Sequence, residues 1–220
     1  MKSIVFIAQG MYARFRCPYT TTSALTYLVI HPIAVKGMIG AIMGIEYSKL
    51  YEYTNSMRIG IQVLNPVYKD MQSFNLIAMK NNNGAANFQS RVQFLRDVKY
   101  RIFVSDIDEK LLKIEKVLKK GNYIFTPYLG CSEHVARLKY EGTYETEKID
   151  FSFCDTLIPK VFAVFNEDKV FDMYFDRIPV KNSPEREYVE YKEIVFVPGE
   201  SIKVSGCNLH KVGEYYVFYF

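Results

Sequence analysis

Two hydrophobic rhythms alternate along the first 125 positions, and one takes over afterwards. Ile4 to Ala8 is a short apolar run that reads as a strand. Pro32 suits the first turn of a helix over Ile33 to Met43. Ile59, Ile61 and Val63 share one face of a strand over Met57 to Leu64, which Asn65-Pro66 ends. Ser73 to Met79 and Val98 to Val104 predict two more strands, and Asn81 to Asn87, with Gly84 inside, reads as a loop between them. Asp106 and Glu109 have capping-box spacing before a helix whose stripe is Ile107, Leu111, Ile114 and Leu118 and which stops at Gly121. Tyr123 to Phe125 starts the next strand. This β-α-β-β-α-β order predicts an α+β chain with a ferredoxin-like or RRM domain.

Beyond Thr126-Pro127 the helical period is lost and strand-like runs dominate: Lys160 to Phe165, Val170 to Phe175, Glu193 to Val197 and Tyr215 to Phe220. We expect an RRM-like domain over residues 1–130, with a protruding thumb hairpin around 80–96, and a smaller β-rich portion over 131–220. No linker long enough to separate independent domains is visible.

Composition narrows the class. With 220 residues, 49% of them hydrophobic, the chain can bury a sizeable core. The apolar stretch from Leu28 to Ile45 is interrupted by His31, Pro32 and Lys36, which argues against a membrane span, and the first residues lack the pattern of a signal peptide. Cys17, Cys131, Cys154 and Cys207 have no zinc-ligand spacing and read as free thiols in a reducing cytoplasm. His31, His134 and His210 form no metal-ligand pair, and no phosphate-binding glycine loop occurs, so no metal or other cofactor is expected.

Charge is unevenly placed. Residues 1–140 carry 19 Lys or Arg against 9 Asp or Glu, whereas residues 141–200 carry 7 against 14. The net charge of +4 conceals this asymmetry, which favours a nucleic-acid site in the first 140 residues. Within Gly10 to Gly44, Arg14 and Arg16 flank Phe15, hydroxyl residues run from Thr20 to Ser23, and a helix carries Lys36 with Gly37, Gly40 and Gly44. Such a set suits a single-stranded backbone and its bases. The glycines allow either close packing of helix on sheet or close approach of RNA, and both can hold at once. A second basic cluster, Lys80, Arg91, Arg96, Lys99 and Arg101, faces the single acid Asp97, with Phe88 and Phe94 placed to stack on bases or to anchor the hairpin.

Three stretches carry a family resemblance: Gly10 to Gly44; Ile59 to Pro66 onward through Asn75 to Met79 and then Arg91 to Val104, with the run VQFLRDVKYRIFV; and Phe125 to Arg137, with TPYLGCSEHVAR. Together they resemble Cas protein family five, the RAMP subunit of type I CRISPR Cascade complexes, most closely its type I-B members. The resemblance implies a subunit that holds the 5′ handle of the guide RNA beside the backbone and large subunits, meeting target DNA only through the complex. The RNA contacts it implies are Tyr12, Arg14, Arg16, Thr21, Lys36, Gly37, Lys80, Asn82, Arg91 and Arg96. A type I-C branch cleaves precursor guide RNA with a tyrosine, lysine and histidine set. The matching region here, Asp106 to Lys119, has lysines and no histidine, so binding without catalysis is expected. A metal-independent endoribonuclease using His31 or His134, or a generic RRM-like binding module, remain the alternatives.

Overall fold

The first strand runs past its apolar heart, carried by backbone pairing from Lys2 opposite Asp106 to Ala13 opposite Leu95. A computed structural model describes residues 1–20, 23–78, 86–165 and 172–220. In it β1 (Lys2–Ala13) is followed by β2 (Ser23–Ala24), α1 (Pro32–Met43), α2 (Leu50–Thr54), β3 (Arg58–Val63), β4 (Tyr68–Ala78), β5 (Ala86–Asp106), α3 (Asp108–Lys120) and β6 (Arg137–Ile149). The remaining strands are short, apart from one pair: β7 (Phe153–Cys154), β8 (Ile158–Pro159), β9 (Tyr174–Asn182), β10 (Tyr188–Phe196), β11 (Ile202–Lys203), β12 (Leu209–Val212) and β13 (Tyr215–Val217).

Antiparallel pairing puts β6, β1, β5 and β3 side by side, with α1 between β1 and β3 and α3 between β5 and β6 in the chain. The expected β-α-β-β-α-β order is therefore present, but its last strand is β6 rather than Tyr123 to Phe125. Those residues form no strand, because the amides of Ile124 and Phe125 donate to the carbonyls of Ile42 and Ala41. They satisfy the open end of α1 instead of a sheet. Strand β6 then pairs along β1 from Arg137 opposite Gln9 to Glu145 opposite Lys2.

Helix α1 starts and stops as its sequence demands. His31 accepts the Ala34 amide through Nδ1 at 3.2 Å, Pro32 opens the helix, and Gly44 closes it in the left-handed conformation, φ 66°. Helix α3 buries Leu111, Ile114 and Leu118 and ends at Gly121. The expected capping box is not formed. Asp106 lies one residue too early, where its carboxylate accepts from the Ile107 amide, Ser56 and Lys110.

The central sheet is buried on both faces. Ile4, Phe6, Ile59, Ile61, Ile102 and Val104 pack toward the helices, while Val5 and Phe103 pack against Val212 and Val217. Gly60 permits that second contact: a Cβ there would lie 2.4 Å from Val217 Cγ1. In RRM modules bases stack on the exposed sheet face; here that face is occupied by β12 and β13.

Strands β4 and β5 form a hairpin from Tyr68 opposite Arg96 to Ala78 opposite Ala86. Ala86 and Asn87 belong to β5, so the expected loop is shorter at its far side, and residues 79–85 lie outside the described residues. Lys160 to Phe162 is a 3₁₀ turn rather than a strand, with only Ala163 bridging to Val204. Strands β9 and β10 bring Ile178, Val180, Ile194 and Phe196 into the same core as α1. All four cysteines are free thiols, Cys17 and Cys154 being buried.

Candidate nucleic-acid interface

The segment after β1 is pinned from two sides. Phe15 donates its amide to Thr26 Oγ1 at 2.8 Å and accepts the Tyr27 amide at 2.9 Å, and its ring is buried edge-on to Tyr100 and His31. Phe15 is thus a core anchor, not a base-stacking ring, and the arginines beside it are what it positions. Arg14 donates its amide to Leu129 at 3.0 Å. The loop that accepts it crosses so closely that a Cβ on Gly130, φ 88°, would lie 1.9 Å from the Arg14 carbonyl oxygen. Only glycine fits that crossing.

These constraints open a cleft of about 790 Å³. Arg14, Arg16, Lys36 and Gly37 line it from one side, and Asn182 and Arg186 from the hairpin joining β9 to β10. Arg16 is exposed, and Arg14 is half-buried with its Nε lacking a hydrogen-bond partner among the described residues. Lys36 donates to the Asn55 carbonyl at 3.2 Å. Burial pulls its ammonium below the ordinary lysine value, an effect that Asp106 opposes. An incoming phosphate would restore what burial removes.

The three glycines of this region have three different reasons. Around Gly37 nothing lies within 4 Å of where a Cβ would stand, so this face of α1 is open to the cleft. At Gly40 a Cβ would meet Leu50 Cδ1 at 2.2 Å, which is close packing. Gly44 is the helix stop.

The other expected contacts lie elsewhere. Tyr12 is half-buried against Phe94 and His134, with ring centroids 6.4 and 6.2 Å away. Arg91 and Arg96 are on β5 and do not line the cleft; Arg96 contacts Asp97 at 3.4 Å and lies over the Tyr68 ring. Arg101 is bound by Glu141 at 2.6 Å and covers Tyr215 at 4.5 Å. Thr21, Lys80 and Asn82 lie outside the described residues. Sequence reasoning missed Arg186, Tyr188 and Tyr47. Arg186 sits in the stretch whose acidic surplus directed attention away from it.

Of the histidines, only His31 makes a side-chain hydrogen bond among the described residues; His134 Nε2 and His210 Nδ1 are buried without a partner. His31 is buried as the α1 cap, and burial lowers its pKa to about 3. His134 is half-buried, its ring 5.3 Å from Phe94, and burial lowers its pKa as well. Among the described residues no group of three His, Cys, Asp or Glu side chains is placed to hold a metal ion, and no helix is long and apolar enough to cross a membrane.

A search of the curated proteins found no match to the chain. A CRISPR protein from Archaeoglobus fulgidus has a similar fold at TM-score 0.57 and 12% identity, over 99% of this chain and 98% of that one. A chain of a CRISPR RNA-guided surveillance complex matches at TM-score 0.56 and 10% identity, over 92% and 90%. A chain of the type III-B Cmr-beta complex bound to cognate target RNA and AMPPnP matches at TM-score 0.50 and 11% identity, over 92% and 86%. The family model described as CRISPR-associated protein (Cas_Cas5) matches residues 3–191. With most of its length matched, the chain belongs to the Cas5 family of CRISPR-associated proteins.

Proposed function

We propose that this chain is a non-catalytic RNA-binding subunit of a type I-B Cascade complex, holding the 5′ handle of the guide RNA beside the backbone and large subunits. The observation that carries this reading is the cleft in which Arg14, Arg16 and Lys36 converge beside the bare face of Gly37. Three cations and an open stretch of helix suit a sugar-phosphate chain that comes close to protein backbone. Family membership, and likeness in fold to chains of RNA-bound CRISPR complexes, support a place in a ribonucleoprotein effector. Pairing between guide and target would then supply DNA specificity. The non-catalytic reading is supported by His31, whose ring is committed to capping α1, and by α3, which carries lysines without histidine.

The test is incubation with RNA transcribed from the repeat of the accompanying CRISPR array, in EDTA. Retention of intact RNA, weakened by Arg14→Ala with Arg16→Ala, is the expected result. Cleavage in EDTA would favour the endoribonuclease alternative, and absence of binding would end the RNA reading.

A further inference from the structure

We propose that Tyr47 and Arg186 form a clamp for one unpaired nucleobase at the mouth of the cleft, an inference that rests on the RNA-binding reading above. Tyr47 is 73% exposed in the 3₁₀ turn that follows α1. Arg186 reaches it from the opposite wall, with its guanidinium carbon 4.1 Å from the centre of the ring. Both residues line the cleft, so their contact bridges its two sides.

The backbone at Arg186 is a second observation in favour of the clamp. The five-residue tip 183–187 is closed by the Ser183 amide donating to Glu187 at 2.9 Å and the Arg186 amide donating to Ser183 at 2.9 Å. Arg186 has φ 69°, the left-handed conformation in which glycine or asparagine is usual at such a turn. Glycine would build the same turn without strain. Strain held by a non-glycine residue in a cleft points to a use for its side chain.

The chemistry of the tip selects a base over a phosphate. Glu185 and Glu187 flank Arg186, so the tip is locally acidic and repels a phosphate group. A planar guanidinium facing a phenol ring instead offers two flat surfaces, which stack on any base. Arg14, Arg16 and Lys36, deeper in the same cleft, would take the adjoining phosphates. At 4.1 Å the clamp is shut. A base between two surfaces needs about 7 Å, so the tip must open by about 3 Å. The base of the hairpin is anchored meanwhile by Tyr188 packed edge-on against His31, with centroids 5.6 Å apart.

The chain contains no tryptophan, so Tyr47→Trp places a single tryptophan, excited selectively over the tyrosines, in the clamp. Repeat RNA should quench it. Arg186→Gly should keep or raise the melting temperature yet bind the same RNA about tenfold more weakly. In an abasic series of that RNA, one position should weaken wild-type binding and have no effect on Arg186→Gly. Arg186→Lys, which keeps the charge and loses the plane, should not restore affinity. Wild-type affinity in Arg186→Gly, full rescue by Arg186→Lys, or an abasic series without a sensitive position would overturn the clamp while leaving the RNA site standing. A wild-type chain that binds no repeat RNA would remove the RNA reading and the clamp together.

Discussion

The amide of Leu28 donates to the Asp176 carboxylate at 2.7 Å, joining the approach to α1 to strand β9 across most of the sequence. This bond ties the segment leading into α1 to the strand whose far end, Asn182, lines the cleft. Asp176→Ala leaves that part-buried amide without its acceptor and should cost about 1–3 kcal/mol, a fall of several degrees in Tm by thermal unfolding. Burial also pushes the Asp176 carboxyl above its ordinary value, the Leu28 and Arg177 amides opposing. A carboxyl raised in the folded state favours the fold at low pH, and that contribution is lost as pH rises through the folded value. The Tm difference between wild type and Asp176→Asn should therefore move in favour of wild type as pH falls toward about 4 and level off below it. A difference independent of pH would contradict this.

His31 has the opposite sign. Its pKa falls from 6.5 to about 3 on burial, so the neutral ring that accepts the Ala34 amide contributes stability above pH 6.5. That contribution is lost as pH drops toward 3, because the unfolded chain takes up the proton first. His31→Asn keeps a capping side chain without a titrating group. Its stability should decline less steeply than that of wild type between pH 6.5 and 3, as measured by denaturant titration at each pH.

Gly37 and Gly40 separate packing from binding. Gly40→Ala puts a methyl where Leu50 Cδ1 now sits, so the half-buried Leu50 tip must turn away; that repacking should offset the helix-propensity gain of up to about 1 kcal/mol. Gly37→Ala meets empty space and should stabilise α1 by up to about 1 kcal/mol. If RNA uses that space, Gly37→Ala will nonetheless weaken repeat-RNA binding. Unchanged affinity would show that the bare face is not used.

Electrostatics gives a fourth expectation. Each phosphate neutralised should contribute about −0.7 to the slope of log affinity against log salt. Arg14→Ala with Arg16→Ala should flatten that slope more than Arg91→Ala with Arg96→Ala, since only the first pair lines the cleft. Equal slopes for the two double variants, both folded by circular dichroism, would move the site toward β5.

Features with local causes were legible in the sequence. Pro32 and Gly44 bracket α1 because each answers to the backbone of its own turn, and the Leu111, Ile114 and Leu118 stripe follows from the helical period alone. Tyr123 to Phe125 has strand-like side chains, but the destination of its amides, the end of α1, lies some eighty residues upstream, and periodicity carries no such information. Capping-box spacing at Asp106 and Glu109 misled for a related reason: Ser56 and Lys110 compete for the carboxylate. In the cleft, Arg14, Arg16, Lys36 and Gly37 were readable because they fall within one short stretch. Arg186 and Tyr188 arrive through the pairing of β9 with β10, and nothing near them in the chain signals that destination.

The contact of Val217 with Gly60, Val5 and Phe103 bears on how the protein is made. Strand β1 leaves the ribosome well before β13. Until β13 arrives, the sheet formed by β1, β3 and β5 presents Val5 and Phe103 to water. Contacts so distant in sequence form slowly, and a nascent chain waiting for them is exposed to self-association. How long that surface stays uncovered is set by how quickly translation delivers β12 and β13.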